Sequence, residues 1–281
     1  MLPYKMYYQN SRGEIVRFDE EPIICTKSTL FDYNYQYNLI DRPRQNGGRL
    51  LSTRMPVTTK DLTVSIGAWT QQEYNDAMNR LYSVIDFDNA INQSGRLYVN
   101  DSYISCRIVG SKKDLNINLT NGSTQQLQVA IEQPMWIREQ RYIFSQDEIE
   151  DPDGHKYPYD YPFRYGTGGT SFVLRNSSVF PAPMRIRFWG VSDNPSVIIG
   201  DQSYGANVSL TDETDVLVID QFTKEVYVIE STGDRNNAFN DRTKETSVFD
   251  PVRPGGSTLS IVSQAPIEII VYEQRGEPEW I

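Results

Sequence analysis

Between residues 70 and 86 the apolar side chains recur at three- and four-residue spacing: Tyr74, Ala77, Met78, Leu81, Tyr82 and Ile85. That period draws a single stripe along one face of a helix. Thr70-Gln71-Gln72-Glu73 stands before it as a capping box, hydroxyl and carboxylate each placed to satisfy an orphan amide. Asp86-Phe87-Asp88-Asn89 closes it, so the pattern predicts one helix over 71–85. Elsewhere the period is two. Leu62, Val64 and Ile66 alternate with Thr63 and Ser65, and 96–106 reads as a hairpin turning at Asn100-Asp101. Residues 126–131 read as a further strand. Past residue 170 the helical period does not return. Strand-length runs at 171–175, 184–189, 215–220, 224–230, 258–263 and 267–273 are separated by Pro, Gly and Asn clusters such as Pro181-Ala182-Pro183 and Pro254-Gly255-Gly256. Short strands spaced by turn signals predict a β-sandwich.

The pattern therefore predicts a mainly β chain of two domains, an N-terminal β domain with one α-helix and a C-terminal β-sandwich. Composition sets the boundary. Residues 144–170 run from an acidic stretch through Tyr157-Pro158-Tyr159-Asp160-Tyr161-Pro162-Phe163 to Gly166-Thr167-Gly168-Gly169, with neither period. The predicted arrangement is a first domain over 1–143, a linker over 144–170 and a second domain over 171–281. Charge divides in the same place. Through residue 140 there are 15 basic and 15 acidic residues, and the remaining 12 basic and 22 acidic residues carry the whole formal charge of −10.

An acidic chain of 281 residues is a poor binder of nucleic-acid phosphates and of anionic membrane surfaces. No apolar run approaches the ~20 residues that span a bilayer, and the N-terminus lacks a signal-peptide core, so the expectation is synthesis and folding in a cytoplasm. The single His, His155, falls in the linker and most simply occupies a solvated turn. One His leaves little for a catalytic triad or a zinc site. The expectation is a protein without cofactor, resident metal or catalytic residues. Cys25 and Cys106 lie in apolar or alternating runs, where a buried, unpaired thiol is the usual outcome. Carboxylates such as Glu148, Glu150 and Asp151 lack the calcium-loop spacing. The Pro-aromatic run admits two readings. Tyr157, Tyr159 and Tyr161, with Trp189, could form platforms that stack on sugar rings of a cell surface, or the run is a stiff connector packed on a neighbour.

The order of segments resembles the distal tail proteins of long-tailed bacteriophages. In the first half the resemblance rests on Lys27-Ser28-Thr29-Leu30-Phe31-Asp32-Tyr33-Asn34-Tyr35, the helix end Asn79-Arg80-Leu81-Tyr82-Ser83-Val84-Ile85-Asp86, the stretch Gly95 to Cys106, and Pro134-Met135-Trp136-Ile137-Arg138-Glu139. In the second half it rests on Pro183-Met184-Arg185-Ile186-Arg187-Phe188-Trp189-Gly190, Val216 to Asp220, Pro254 to Leu259, and the end Arg275-Gly276-Glu277-Pro278-Glu279-Trp280. The resemblance implies a ring-forming first domain that assembles as a hexamer, and a peripheral sandwich like those of galectins and carbohydrate-binding modules. It implies a tail tube protein on one side, and a tail-associated tip or receptor-binding protein on the other. The place implied is a virion tail tip or baseplate, after synthesis in a bacterial host. No long insertion interrupts the second domain, so the resemblance favours a plain hub over a receptor-binding part. The expected ring contact is made by strands and by the loop 42–49, whose Arg42, Arg44 and Arg49 could meet a neighbour's acids or could simply be solvated. A carbohydrate-binding module acting alone is the rival reading, and a glycan hydrolase the third.

Overall fold

The computed structural model describes residues 4–41, 46–115, 122–144, 172–262 and 266–280. In chain order the first elements are β1 (Met6–Gln9), β2 (Ile15–Arg17), β3 (Asp19–Glu20), β4 (Ile23–Ser28), β5 (Gln36–Asp41), β6 (Gly48–Arg54), β7 (Thr58–Gly67), α1 (Gln71–Ile91), β8 (Gly95–Val99), β9 (Ser102–Leu115), β10 (Gly122–Ile131) and β11 (Trp136–Phe144). There follow β12 (Phe172–Asn176), β13 (Met184–Trp189), β14 (Ser192–Asp193), β15 (Ser196–Ile199), β16 (Gln202–Gly205), β17 (Ser209–Leu210), β18 (Val216–Asp220), β19 (Glu225–Ile229), β20 (Arg235–Asn237), β21 (Gly255–Ile261) and β22 (Ile267–Arg275). Two compact units emerge, Met1–Arg138 with Arg275–Ile281, and Glu139–Gln274. The chain passes between them inside β11 and returns at the end of β22. The linker expected over 144–170 lies outside the described residues except for Phe144.

In the first unit the long strand β9 serves three partners, β11 among them through Tyr103 opposite Ile137 and Ser102 opposite Arg138. Its start pairs with β8 from Ser102 to Cys106, and its later residues pair with β10, with a bulge opposite Gln128 and Val129. β10 pairs with β7 over ten residues, and β7 with β4, all antiparallel. The alternation turns Leu62, Val64 and Ile66 of β7 and Leu127, Val129 and Ile131 of β10 into one core, closed by Ala77, Leu81, Val84 and Ile85 of α1. Covering each such side chain contributes about 1.5–3 kcal/mol. The capping box forms as expected, with the Thr70 hydroxyl accepting from the Glu73 amide and the Glu73 carboxylate accepting from the Thr70 amide. α1 continues past residue 85 because Asp88 is itself buried, and it ends at Asn92 in the left-handed conformation. Two stripe residues also pin the helix by their hydroxyls: Tyr74 reaches Ser123 at 2.8 Å and Tyr82 reaches Gln125 at 2.6 Å.

The second unit is a sandwich. One sheet runs β20-β19-β18-β13-β22-β11 and the other β12-β21-β15-β16. Ile186, Phe188, Leu217, Ile219, Ile269 and Val271 from the first and Leu174, Val197, Tyr204 and Leu259 from the second fill a single core. β18 and most of β22 are buried along their length, whereas β13 alternates Arg185 and Arg187 with Met184, Ile186 and Phe188. Where they carry charge it is paired at the surface of the sheet: Arg185 with Asp220 at 2.6 Å, and Arg187 and Arg141 with Glu268 at 2.8 and 3.0 Å.

Candidate assembly surface

β5 and β6 form a two-stranded sheet of their own. Every residue in both strands is exposed. The register places Tyr37 opposite Thr53 and Leu39 opposite Leu50, with Leu51 at a bulge. Because side chains alternate across a strand, Tyr37, Leu39 and Leu50 share one face, and each is more than half exposed. Gln36, Asn38, Ser52, Arg54, Ile40 and Arg49 occupy the other. There Asn38 donates to Ser52 at 3.1 Å and Arg54 to Gln36 at 3.2 Å. At the narrow end Gly48 is required, since a β-carbon there would lie 2.9 Å from the Ile40 carbonyl oxygen.

An isolated two-stranded hairpin is marginal in water. Interaction sites are found where exposed apolar side chains cluster on one face. Covering the exposed half of Tyr37, Leu39, Leu50 and Leu51 would contribute about 1 kcal/mol for each side chain. The hairpin's legs converge on a cavity of about 210 Å³ lined by Tyr33, Gln36, Met55, Pro56, Trp136 and Gly276 among others. At the opposite end of β7, Trp69 stands 91% exposed beside an open groove formed with Pro22 and Ile24.

Of the sequence-predicted contact residues, Arg49 lies on β6 opposite Ile40, inside a strand rather than a loop. Arg42 and Arg44 are outside the described residues. So are Tyr157, Tyr159, Tyr161 and His155. Trp189 ends β13 and is 41% exposed. Two aromatics of the second unit carry cations over their rings: the Arg235 guanidinium lies 3.6 Å from the Tyr227 ring centre and Arg242 lies 4.2 Å from that of Phe239. Those faces line an open groove of about 410 Å³, but the guanidinium groups occupy the stacking positions a sugar ring would need. Sequence reasoning missed Tyr37, Leu39, Leu50 and Leu51. The signal was present in Tyr33, Tyr35, Tyr37 and Leu39, which alternate strictly with Asn34, Gln36 and Asn38.

Both thiols are free and buried. Burial pushes Cys25 up to about 11 and Cys106 up to about 12. Among the described residues no group of three or more His, Cys, Asp or Glu is placed to hold a metal ion. Among them also, no helix is long and apolar enough to cross a membrane.

No protein-family model and no curated protein matches the sequence. Solved structures do match, over the whole chain. The crystal structure of the SPP1 Dit protein, described as a paradigm of the hub adsorption apparatus in phages infecting Gram-positive hosts, aligns over 98% of this chain and 100% of its own, at 9% identity and TM-score 0.62. The fold is that of a phage hub protein. Chains of the phage P2 baseplate in its activated conformation agree. The calcium form aligns over 99% of this chain at 11% identity and TM-score 0.66, and the strontium form over 98% at 10% and 0.65. At such identities the likeness establishes a shared fold.

Proposed function

We propose that this protein is a structural hub of a phage tail tip or baseplate: copies close into a hexameric ring that joins the tail tube to tip or receptor-binding components. The whole-chain likeness to hub and baseplate chains supports the class of role. The observation that carries the assembly reading is the β5–β6 hairpin, whose apolar face of Tyr37, Leu39 and Leu50 has no cover among the described residues. A cyclic ring is built from head-to-tail contacts, in which one face of a subunit meets a different face of the next. A projecting hairpin suits such a contact. Zero net charge over residues 1–140 lets copies of the first unit approach, while the acidic remainder is best tolerated at the periphery, where subunits are far apart and salt screens within ~10 Å.

Light scattering on the purified chain tests this. Six copies of 32.3 kDa give about 194 kDa. The doubly substituted chain Leu39→Lys/Leu50→Lys should elute as a monomer with an unchanged far-ultraviolet circular dichroism spectrum. Assembly of that variant at the parent's concentration would remove the hairpin from the ring contact.

A further inference from the structure

Arg275–Trp280 belongs to the first unit, and it lies where the hairpin is rooted. We infer that Arg275–Trp280 is a strap that fixes the pose of the β5–β6 hairpin and thereby sets how readily copies assemble. This rests on the hairpin being the ring contact.

One end of the strap is clamped. The Glu279 carboxylate is paired with Arg138 and lies 3.6 Å from Arg275. The Glu279 amide donates to the Ser102 hydroxyl at 3.4 Å, and its carbonyl accepts from Asn100 at 3.5 Å. Pro278 is buried. The Trp280 ring meets Phe31 edge-on at 4.9 Å and Tyr4 at 5.9 Å, and Phe31 in turn stacks on Trp136 at 6.1 Å.

The other end lies beside both legs of the hairpin. A β-carbon at Gly276 would lie 3.2 Å from Met55 Cε and 3.7 Å from the Tyr35 hydroxyl. Tyr35 immediately precedes β5 and Met55 immediately follows β6. Gly276 also walls the 210 Å³ cavity beside Tyr33, Gln36, Met55 and Pro56. Since β5 and β6 pair only with each other, the packing at these two legs governs which way the hairpin projects. Elements with few buried contacts open at low cost. If the strap leaves, the fraction of chains holding the assembly pose falls, and apparent affinity for the neighbour falls by that same fraction.

The strap can act separately from the core. Trp280 is half exposed, whereas Leu62, Val64, Leu127 and Val129 are fully buried and none of the strap's contacts above involves them.

The test compares three full-length chains: the parent, Glu279→Ala/Trp280→Ala, and Leu39→Lys/Leu50→Lys. Hydrogen exchange reads β5–β6 and the β7–β10 core separately, and light scattering reads assembly. For Glu279→Ala/Trp280→Ala we expect faster exchange in β5–β6, parental protection in β7 and β10, and about a tenfold rise in the concentration needed for half assembly. Gly276→Leu, which crowds Met55 without touching the clamp, should shift assembly the same way. Unchanged hairpin exchange or unchanged assembly in Glu279→Ala/Trp280→Ala would overturn the strap, and so would loss of core protection together with the hairpin. If Leu39→Lys/Leu50→Lys still forms rings, the hairpin reading itself fails. If that variant is monomeric while the strap variants assemble like the parent, only the strap fails.

Discussion

Removing the Asp88 carboxylate should cost the first unit about 2–4 kcal/mol. Asp88 is 1% exposed near the end of α1, where the helix dipole disfavours a negative charge. It is held by three donors: the Tyr8 hydroxyl, the Ser11 amide at 2.8 Å and the Ser11 hydroxyl at 2.6 Å. The cluster ties the helix to β1 and its following turn, and Gly95 of β8 completes it by having no side chain. A β-carbon at Gly95 would lie 2.5 Å from both Asp88 Oδ2 and the Tyr8 oxygen. In Asp88→Ala the Ser11 groups can turn to water, because Ser11 is exposed. Tyr8 cannot, being fully buried. A stranded hydroxyl costs about 1–3 kcal/mol, and the lost bonds to a charged acceptor account for the rest. Tyr8→Phe in the Asp88→Ala background removes the stranded group, so the double variant should be more stable than the two single losses added together, by about 1 kcal/mol or more. Denaturant titration followed by hydrogen exchange of the α1 amides measures this unit alone. A loss below about 1 kcal/mol for Asp88→Ala, or strict additivity in the cycle, would refute the reasoning.

Cys25 and Cys106 should alkylate slowly in the native protein, because burial raises both thiols to about 11 and 12 and leaves little thiolate at neutral pH; reducing agent should leave the melting temperature unchanged. In the second unit the amides of Asp212, Thr211 and Ser231 hold the Asp215 carboxyl below its ordinary range. Its contribution to stability is therefore complete above the unfolded value of about 3.9 and is lost as pH falls through the lower folded value. Melting temperature measured from pH 5 down to pH 2 should fall less steeply for Asp215→Asn than for the parent, and parallel curves would count against the assignment.

The strands and helix that bury one face were legible because burial imposes a period: Tyr74 to Ile85 at 3.6, Leu62 to Ile66 at two. The end of α1 was not, because Asp88 is polar and its burial depends on Tyr8 and Ser11, some eighty residues earlier. β5 was hidden for a related reason. Its apolar positions Tyr37 and Leu39 alternate with Gln36 and Asn38, and its face is uncovered among the described residues, so the usual contrast between core and solvent is weak. The arginines around residue 42 drew the reading toward a loop, although Arg49 belongs to a strand. The return of Trp280 to Tyr4 and Phe31 joins the two ends of the chain, a contact for which no local spacing exists. Chemistry was read mainly from scarcity, the single His and two thiols, and scarcity names no surface.

Electron-microscope class averages of the purified full-length chain test the central claim most directly. The account predicts closed rings with six-fold symmetry and a central opening, formed by the parent chain and lost in Leu39→Lys/Leu50→Lys. Particles that remain monomeric at high concentration, or that pair only by two-fold symmetry, would contradict it.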